Sequence, residues 1–530
     1  MMTQAAALQV RTMTWDRFRA KFPSISRSSD ELKDRFEKSW NPLTGEVTVT
    51  CRLSPKKLIK MYKRITPLAE WAKFKVYCAK NEGIPLIFVG ATYAGGGVAI
   101  MRMVLIALLQ AMGVNVRWLV MKPLPEAFEV TKHSFHDTFQ DVNGQVELTE
   151  ERKDVYEAWI ADNAILLEPA LRSARVIVID DWQPSGLIDY ILGDSSKGLV
   201  GFNPDAEIIF RDHIATEGGL MSTPGTSQRN SWLYVWKQIQ RARIMIFHPR
   251  PELFVPDDVP QPMVALMGAT SDLLDDLNRK MTRRERRAGI RYLNEHFATN
   301  GHQTPLDLKR KIYVLIARFD PSKGMDLGLA AWARHWQMLA DMGVPLHKRP
   351  QLVIIGNGSI DDPAGPVILK EIMDQWEKLP PEIRNDAKIA RVPHNDLAIN
   401  ALLWYAILAL QTSTKEGFEN RVTDALLHAV FVLGSTAGGI PLQILEGLTG
   451  HAIGPYETQE WARRMVEIAT ESWWSRYLRT RRVKKWTKRH NHQYTTLANA
   501  ISWLYLSYTV ATDPEFEVNG MSVYESAMAE

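Results

Sequence analysis

Cysteine is scarce in this sequence. Only Cys51 and Cys78 occur among its 530 residues, too few for a disulfide framework or a thiolate zinc site. The pair gives no evidence of redox chemistry and favours a reducing compartment, so we predict a cytoplasmic protein.

A charge excess of one sign is also lacking. The 64 Lys and Arg residues against 60 Asp and Glu residues give a net charge of +4, which is too small to indicate a nucleic-acid partner. The chain has no long uninterrupted hydrophobic run either. The best candidate, residues 97–114, contains Arg102 and Gln110 and is typical of a buried helix rather than a membrane span.

The composition that remains is ordinary for a globular protein. A hydrophobic fraction of 45% and a charged fraction of 23% exclude disordered, collagen-like and coiled-coil chains. A chain of 530 residues exceeds what one core usually organises, so two domains of similar size are expected.

Short apolar runs alternate with helical stretches from about residue 85 onward. This alternation predicts an α/β fold with parallel sheets, and the nearly continuous apolar character of each run predicts helices on both faces. The first series of predicted strands is 86–91, 116–121, 175–181, 207–213, 243–248 and 263–268; the second is 311–319, 351–358, 387–393, 406–413 and 431–436.

These two series predict the domain division. We expect an N-terminal extension over 1–84, a first Rossmann-like domain over 85–271, a linker over 272–309, a second Rossmann-like domain over 310–475, and a segment over 476–530. That last segment carries a basic run and a helix long enough to cross back onto the first domain. Ligands of such sheets bind beyond the carboxyl ends of the strands, so functional residues should follow strand ends.

Two groups of candidate residues follow strand ends. Gly95, Gly96 and Gly97 lie between the first strand and a helix, where glycine lets the backbone approach an anion at the helix N-terminus; a tight turn without a ligand explains them equally well. Arg318 and Lys323 flank the end of the first strand of the second series. They form a candidate phosphate clamp, and a surface pair around a proline turn is the alternative.

The segment from 412 to 444 has the densest pattern. Glu416 ends a strand, and Asp424 lies eight residues on, in the next helix, so both carboxylates can face one cleft. Gly438 and Gly439 would bring backbone N–H groups towards a phosphate. Carboxylates beside phosphate cradles suggest a sugar phosphate or a nucleotide sugar, although solvated surface acids would give the same spacing.

These motifs support a resemblance. EGFENRVTDAL followed by GGIPLQI resembles the E-x7-E motif of the retaining GT-B glycosyltransferases of family four, with Asp424 in place of the second Glu. The segments GGGVAIMR, VIVIDDWQPSGLI, FRDHIATEG, IFHPRPELFVPDDVP, IARFDPSKGMD and IGNGSIDDP are similar to fungal retaining trehalose phosphorylases and trehalose-synthase-like (clock-controlled-9-type) proteins. The resemblance covers roughly residues 85 to 515 in order, and it implies a GT-B fold in which two Rossmann-like domains face a central cleft.

The resemblance also implies roles for particular residues. In the second, donor and phosphate-binding domain, Glu416 would hold the hydroxyls of the donor sugar, while Arg318 and Lys323 would bind the phosphate or diphosphate leaving group, assisted by Arg421. In the first, acceptor-side domain, the family's roles fall on three features: His213 near the developing charge of the donor sugar, Gly95–Gly97 as the donor loop, and Asp181 facing the acceptor.

The implied reaction transfers an α-glucosyl unit with retention, without a covalent carboxylate intermediate. Small sugars, sugar phosphates or nucleotide sugars are the implied substrates, and a homodimer is the candidate assembly. No Asp-x-Asp triplet occurs, so we expect neither a metal nor another cofactor. The cluster of His133, His136 and Asp137 lacks further spaced ligands and is predicted to lie on a loop.

Three hypotheses for the function remain, and Asp424 bears on the first two. In nucleotide-sugar enzymes the second acid contacts the ribose, and Asp424 is one methylene shorter than the usual Glu. A phosphorylase has no ribose to hold, so phosphorolysis or synthesis of trehalose is the first hypothesis. A nucleotide-sugar-dependent transferase with another acceptor, such as a fungal secondary metabolite, is the second. A non-catalytic sugar-phosphate-binding protein is the third.

Overall fold

A computed structural model describes residues 34–94, 97–142, 145–301, 303–356, 365–393 and 395–530. The strands are β1 (Phe36–Trp40), β2 (Val47–Cys51), β3 (Leu86–Gly90), β4 (Val116–Val120), β5 (Val176–Asp180), β6 (Glu207–Arg211), β7 (Ile244–Phe247), β8 (Val264–Leu266), β9 (Ile312–Ile316), β10 (Gln351–Gly356), β11 (Ala387–Arg391), β12 (Ala406–Gln411), β13 (Phe431–Ser435), β14 (Gly450–Ile453) and β15 (Met521–Ser522).

The helices of the first half are α1 (Pro55–Ile65), α2 (Leu68–Lys80), α3 (Gly97–Ala111), α4 (Pro125–Val130), α5 (Asp137–Phe139), α6 (Glu150–Leu171), α7 (Leu187–Leu192), α8 (Gly218–Ser222), α9 (Ser227–Ile239) and α10 (Pro251–Phe254). Those that follow are α11 (Arg283–Thr299), α12 (Met325–Asp341), α13 (Gly365–Glu377), α14 (Pro381–Asp386), α15 (Asp396–Tyr405), α16 (Asn420–Leu427), α17 (Thr458–Thr470), α18 (Trp473–His490), α19 (Thr496–Thr512) and α20 (Val523–Ala529). A π-helix joins α4 to α5 over Thr131–His136.

Two parallel sheets organise the chain. The first has the strand order β15-β8-β7-β6-β5-β3-β4 and the second the order β11-β10-β9-β12-β13-β14. Every strand pair in both sheets is parallel, whereas β1 and β2 form a separate antiparallel pair. The predicted α/β class with two parallel sheets is confirmed.

Helices cover both faces of the first sheet, as the strand sequences predict. Along β3, Leu86 and Phe88 enter one buried cluster, and Ile87 and Val89 enter another. Successive side chains of a strand point to opposite faces, so a continuously apolar strand needs a hydrophobic layer on each side. All the strands of the two predicted series are present, whereas β1, β2, β14 and β15 are strands that the sequence reasoning missed.

The C-terminal helix α19 lies against the first sheet. The ring of Trp503 meets that of Phe88 edge to face, with centroids 5.1 Å apart, and the ring of Tyr505 meets that of Tyr77 on α2 at 5.7 Å. Near the chain end, β15 pairs with β8 and completes that edge of the sheet. Helix α19 and strand β15 are therefore part of the core of the first half.

The segment predicted to be a linker is mostly helical. Helix α11 begins with a capping box between Thr282 and Glu285 and buries Leu293 and Phe297 in the hydrophobic cluster of the second sheet. Its basic N-terminal turns stay largely outside that cluster, which is the ordinary arrangement of an amphipathic helix. The boundaries of the domains themselves stay predictions.

Candidate active site

A cavity of about 240 Å³ lies between the two halves, beyond the carboxyl ends of the strands. The predicted residues that line it are Gly97, Asp181 and His213 from the first half and Arg318, Lys323, Glu416, Arg421 and Asp424 from the second. Parallel strands end at a common edge of their sheet, which is why residues far apart in sequence meet there.

One side of the cavity is built around the buried carboxylate of Asp180, the last residue of β5. The guanidinium of Arg102 on α3 donates to both of its oxygens at 2.8 Å. The Nε2 atom of His213 lies 2.6 Å from Asp180 Oδ1. We call Arg102, Asp180 and His213 the first wall.

The first wall holds fixed charges at neutral pH. Burial pushes the pKa of Asp180 upward, but Arg102 and His213 outweigh burial and bring it to about 2. Burial lowers the pKa of His213 to about 4 despite the opposing attraction of Asp180. The imidazole is therefore neutral, and the carboxylate fixes its orientation.

Asp181 follows directly in a strained backbone conformation. Its φ of 80° is in the left-handed region, which costs free energy for a residue with a side chain and is concentrated at functional sites. Burial, followed by the nearby charge of Asp212, raises the pKa of Asp181 well above its ordinary value. The two neighbouring acids thus differ, since the pKa of Asp180 is lowered and the pKa of Asp181 is raised.

The opposite side of the cavity is built around the ammonium of Lys323. It forms ion pairs with Glu416 and, at 2.8 Å, with Glu419. We call Lys323, Glu416 and Glu419 the second wall. All three side chains are largely buried, with 7–13% of their surface exposed.

Two carboxylates share one lysine in the second wall, so they titrate differently. Burial raises the pKa of Glu416 to about 7, with Glu419 adding to the effect and Lys323 opposing it. Burial also acts on Glu419, but Lys323 outweighs it and lowers the pKa of Glu419 to about 2. Burial opposes the charge of Lys323, yet the two glutamates raise its pKa above the ordinary value.

Asp424 and Arg421 lie on α16, one helical turn apart. The Nη1 atom of Arg421 lies 3.0 Å from Asp424 Oδ2, and the amide of Asn278 donates to Asp424 Oδ1 at 3.1 Å. Burial raises the pKa of Asp424, opposed by Arg421. Both carboxylate oxygens of Asp424 are thus engaged by groups of the protein itself.

The predicted glycines have different positions. Gly95 and Gly96 lie outside the described residues. Gly438 and Gly439 do not line the cavity, and the N–H of Gly439 donates to the Gly417 carbonyl at 3.0 Å. Gly438 has a φ of 47°, and a Cβ atom there would meet the Glu416 carbonyl oxygen at 1.5 Å. The two glycines pack behind the loop that carries Glu416.

Several side chains connect the two halves beside the cavity. Lys132 Nζ lies 3.3 Å from Asp320 Oδ2, and Lys415 forms an ion pair with Glu217. The Nη1 atom of Arg250 donates to the Gly438 carbonyl at 3.1 Å.

The sequence reasoning missed Asp180, Arg102, Glu419 and Lys132. Arg102 had a signal, because a lone arginine inside an apolar helix must find a partner when it is buried. The loop predicted for the cluster of His133, His136 and Asp137 is wrong. These residues lie on the π-helix and α5, because Val130, Phe135 and Phe139 bury a helical face there.

Within the described ranges, no group of three or more His, Cys, Asp or Glu side chains is arranged to hold a metal ion. Across the same residues, no helix is both long enough and apolar enough to cross a membrane.

Comparison with known families decides the classification. Residues 88–255 match the family described as trehalose synthase, N-terminal domain, and residues 310–471 match the family described as glycosyl transferases group 1. The second half of the chain is thus similar to the group 1 glycosyltransferases, and the first half to the trehalose synthase N-terminal domain. The chain's two parallel sheets facing a cleft are the GT-B architecture, as the resemblance implied.

Individual relatives of this chain differ in length. The trehalose phosphorylase of Pleurotus pulmonarius is 33% identical over 458 residues, which are 83% of this chain and 59% of that protein. The trehalose synthase of Pyrococcus horikoshii is 26% identical over 76% of this chain and 85% of that protein. The chain therefore spans about 59% of the length of the Pleurotus relative.

Solved structures share the fold of this chain at low identity. The trehalose-6-phosphate synthase OtsA superposes with a TM-score of 0.59 at 14% identity, covering 79% of this chain and 98% of OtsA. The UDP-forming synthase of Burkholderia xenovorans, solved with glucose-6-phosphate, also gives 0.59, at 15% identity over 79% of this chain and 99% of that one.

Proposed function

We propose that the protein is a retaining hexosyltransferase acting on trehalose, which it cleaves with phosphate to glucose and α-glucose 1-phosphate or makes by the reverse reaction. The observation that carries this proposal is the position of Lys323. Its ammonium shares a cavity with Arg318 and faces a neutral histidine from the other half. The match of the first half to the trehalose synthase N-terminal domain supports trehalose as the substrate.

The chemistry follows from the two walls. The bond between the anomeric carbon of one glucosyl unit and the bridging oxygen breaks, and a phosphate oxygen bonds to that carbon on the same face. The proton of the phosphate passes to the departing glucose oxygen. Arg318 and Lys323 stabilise the phosphate charge as it changes through the transition state.

The remaining lining residues fit the sugars. Glu416, supported by Gly438 and Gly439 from behind, would accept hydrogen bonds from donor-sugar hydroxyls, and Gly97 would lie at the donor loop. Asp181, whose pKa is raised by burial, would face the acceptor sugar. His213, kept neutral and oriented by Asp180, would contact the reacting glucosyl unit without adding charge.

Asp424 favours phosphate over a nucleotide as the anion. Its two oxygens are engaged by Arg421 and Asn278, and its side chain is one methylene shorter than the usual Glu. A nucleotide donor would need this carboxylate to reach a ribose hydroxyl as well, whereas a free phosphate places no demand on it.

A nucleotide sugar is the second candidate donor. The cavity is also lined by Ile316, Ile355, Val392 and Ile399 from the second half. Apolar side chains beside a charged subsite are what a flat base with attached phosphates requires. A transferase with a nucleotide donor and another acceptor would use this apolar lining.

The test compares the two donors directly. Purified protein would be incubated with trehalose and phosphate while glucose and α-glucose 1-phosphate are measured, and separately with UDP-glucose and a panel of acceptors while UDP is measured. We expect both products in the first reaction. UDP release alone would establish the second candidate, and no turnover with any donor would leave a sugar-phosphate-binding protein.

A Lys323→Ala variant is the control for the trehalose reaction, since a contaminating enzyme would leave the activity of that preparation unchanged.

Cys51 and Cys78 are free thiols, which fits the cytoplasmic location proposed from the sequence. The homodimer stays a prediction that sedimentation of the same preparation would decide.

A further inference from the structure

Lys132 reaches from the first half into the second. It lies on the π-helix over Thr131–His136, an irregular helix type that is often found at functional sites. Its residue surface is only 8% exposed. Its ammonium lies 2.9 Å from Asp137 Oδ1 in its own half and 3.3 Å from Asp320 Oδ2 in the other.

Asp320 organises the turn that presents Lys323. Asp320 Oδ1 accepts hydrogen bonds from the Ser322 backbone N–H at 2.9 Å and from its hydroxyl at 2.6 Å. The Ser322 carbonyl in turn accepts from the backbone N–H of Thr414 at 2.7 Å, next to the loop of Glu416. One oxygen of Asp320 thus builds the Lys323 turn, and the other receives Lys132.

The ionised state of Asp320 depends on its contact with Lys132. Burial acts to raise the pKa of Asp320, but Lys132 and then Arg318 outweigh burial and hold it well below the ordinary value. Asp320 is therefore an ionised, buried carboxylate whose leading stabilising cation comes from the other half of the chain. A buried charge that loses its partner is strongly destabilised.

We propose that Lys132 is a positioning residue that fixes the Lys323 turn through Asp320, so that the phosphate clamp is correctly placed only when the two halves are closed on each other. Lys132 also shares a pocket with Arg318, Lys323 and Glu416, which places the link directly beside the clamp. The expected effect on kcat rests on the proposed function, whereas the expected effect on amide exchange in the Lys323 turn does not.

A second ion pair between the halves supplies a matched control. Glu217 pairs with Lys415, but the two side chains are 35% and 30% exposed, and this ion pair includes neither Lys132 nor Asp320. Replacing Glu217 therefore removes an ion pair across the same cleft without touching Asp320. Exposed pairs of this kind contribute about 0–1 kcal/mol.

The experiment measures backbone amide exchange at Ser322 and Lys323 together with kinetics in Lys132→Met, Lys132→Arg and Glu217→Gln. We expect Lys132→Met to speed exchange at the turn by about tenfold and to lower kcat by a similar factor. The KM for trehalose should stay within about threefold, because Lys132 acts on the Lys323 turn and is not assigned a contact with the sugar. Lys132→Arg keeps the charge and should retain most of the protection, and Glu217→Gln should change neither measurement.

A double-mutant cycle with Asp320→Asn tests whether Lys132 acts on the Lys323 turn through Asp320. Asn keeps an oxygen acceptor for Ser322 but removes the charge that Lys132 meets, so adding Lys132→Met to Asp320→Asn should have little further effect. This variant also reports on the link if Lys132→Met does not fold. Unchanged exchange at the turn in Lys132→Met, or fully additive effects in the double variant, would overturn the proposal. Altered exchange in a protein that does not act on trehalose would contradict only the proposed function.

Discussion

The two walls of the cavity neutralise their charges in different ways. In the first wall a bidentate guanidinium matches a single carboxylate, and the histidine beside it is neutral. In the second wall one ammonium serves two carboxylates, and the pKa of Glu416 is raised to about 7 by burial. The first wall is complete without a ligand, whereas the second has an ionisation state that a bound anion and sugar can change.

This contrast distinguishes residues that mainly stabilise the fold from residues that mainly affect turnover. A residue in a fully paired, buried network should affect stability most when it is replaced, and a residue in an incompletely balanced network should affect turnover most. Each of the following substitutions tests one side of the comparison.

The largest effect on stability is expected in the first wall. Asp180→Asn leaves the buried charge of Arg102 without its partner, so the free energy of unfolding should fall by about 3–5 kcal/mol, as measured by urea denaturation. Asp181→Asn is the matched control, because burial and the charge of Asp212 raise the pKa of Asp181 and thus disfavour its ionised form, so its replacement should cost less than about 1 kcal/mol. Equal losses in the two variants would contradict the assignment of charge to Asp180.

The largest effect on turnover is expected in the second wall. Lys323→Ala removes the cation that would stabilise phosphate charge in the transition state of the proposed reaction, so kcat should fall by about two to three orders of magnitude. The rise in KM should be smaller, because the lost interaction is stronger in the transition state. Lys323→Arg should not restore kcat fully, since a planar fork cannot replace a compact ammonium. A folded Lys323→Ala protein with near-native kcat would place phosphate activation elsewhere.

Titration of Glu416 should give a smaller effect, with a defined sign. The pKa of Glu416 is about 7 in the folded protein and about 4.3 in an unfolded chain. Between these values the folded state binds more protons, so this residue makes the free energy of unfolding fall as the pH rises.

The measurement compares wild type with Glu416→Gln by urea denaturation at several pH values across that window. The wild type should lose stability relative to the variant with a slope of at most about 1.4 kcal/mol per pH unit. Parallel curves for the two proteins would show that Glu416 is ionised throughout, and the second wall would then resemble the first.

The smallest effect is expected at Asp424. Because Arg421 and Asn278 engage this carboxylate, Asp424→Glu should change kcat with trehalose and phosphate by less than about threefold. Steady-state kinetics would check this value, with thermal unfolding as the control for overpacking in a buried position. A large gain in activity with UDP-glucose would instead indicate that the longer carboxylate reaches a ribose.

Site residues that lie directly after strands could be predicted from the sequence. Arg318 and Glu416 were predicted because parallel strands deliver such residues to one edge, whereas His213 was predicted from the family resemblance. The adjacent acids Asp180 and Asp181 show the limit of this reasoning. The left-handed backbone at Asp181 turns the two side chains towards different partners, and nothing in the letters DD specifies that conformation.

Other features depended on tertiary contacts. Lys132 lies on a π-helix, which has no recognisable sequence pattern, and its partner Asp320 is 188 residues away. Strands β1 and β14 are short and only partly buried, so they lack the continuous apolar run that identified the others.

The packing of α19 and β15 against the first sheet also constrains the order of assembly during synthesis. Trp503 covers Phe88, and β15 extends the edge at β8, yet both elements leave the ribosome after the entire second sheet. Domains generally fold as the chain emerges, starting with the N-terminal one. Here one apolar face of the first sheet stays uncovered while the second sheet is synthesised and folds. A translational pause or a chaperone that acts before residue 496 is made would therefore protect the first half.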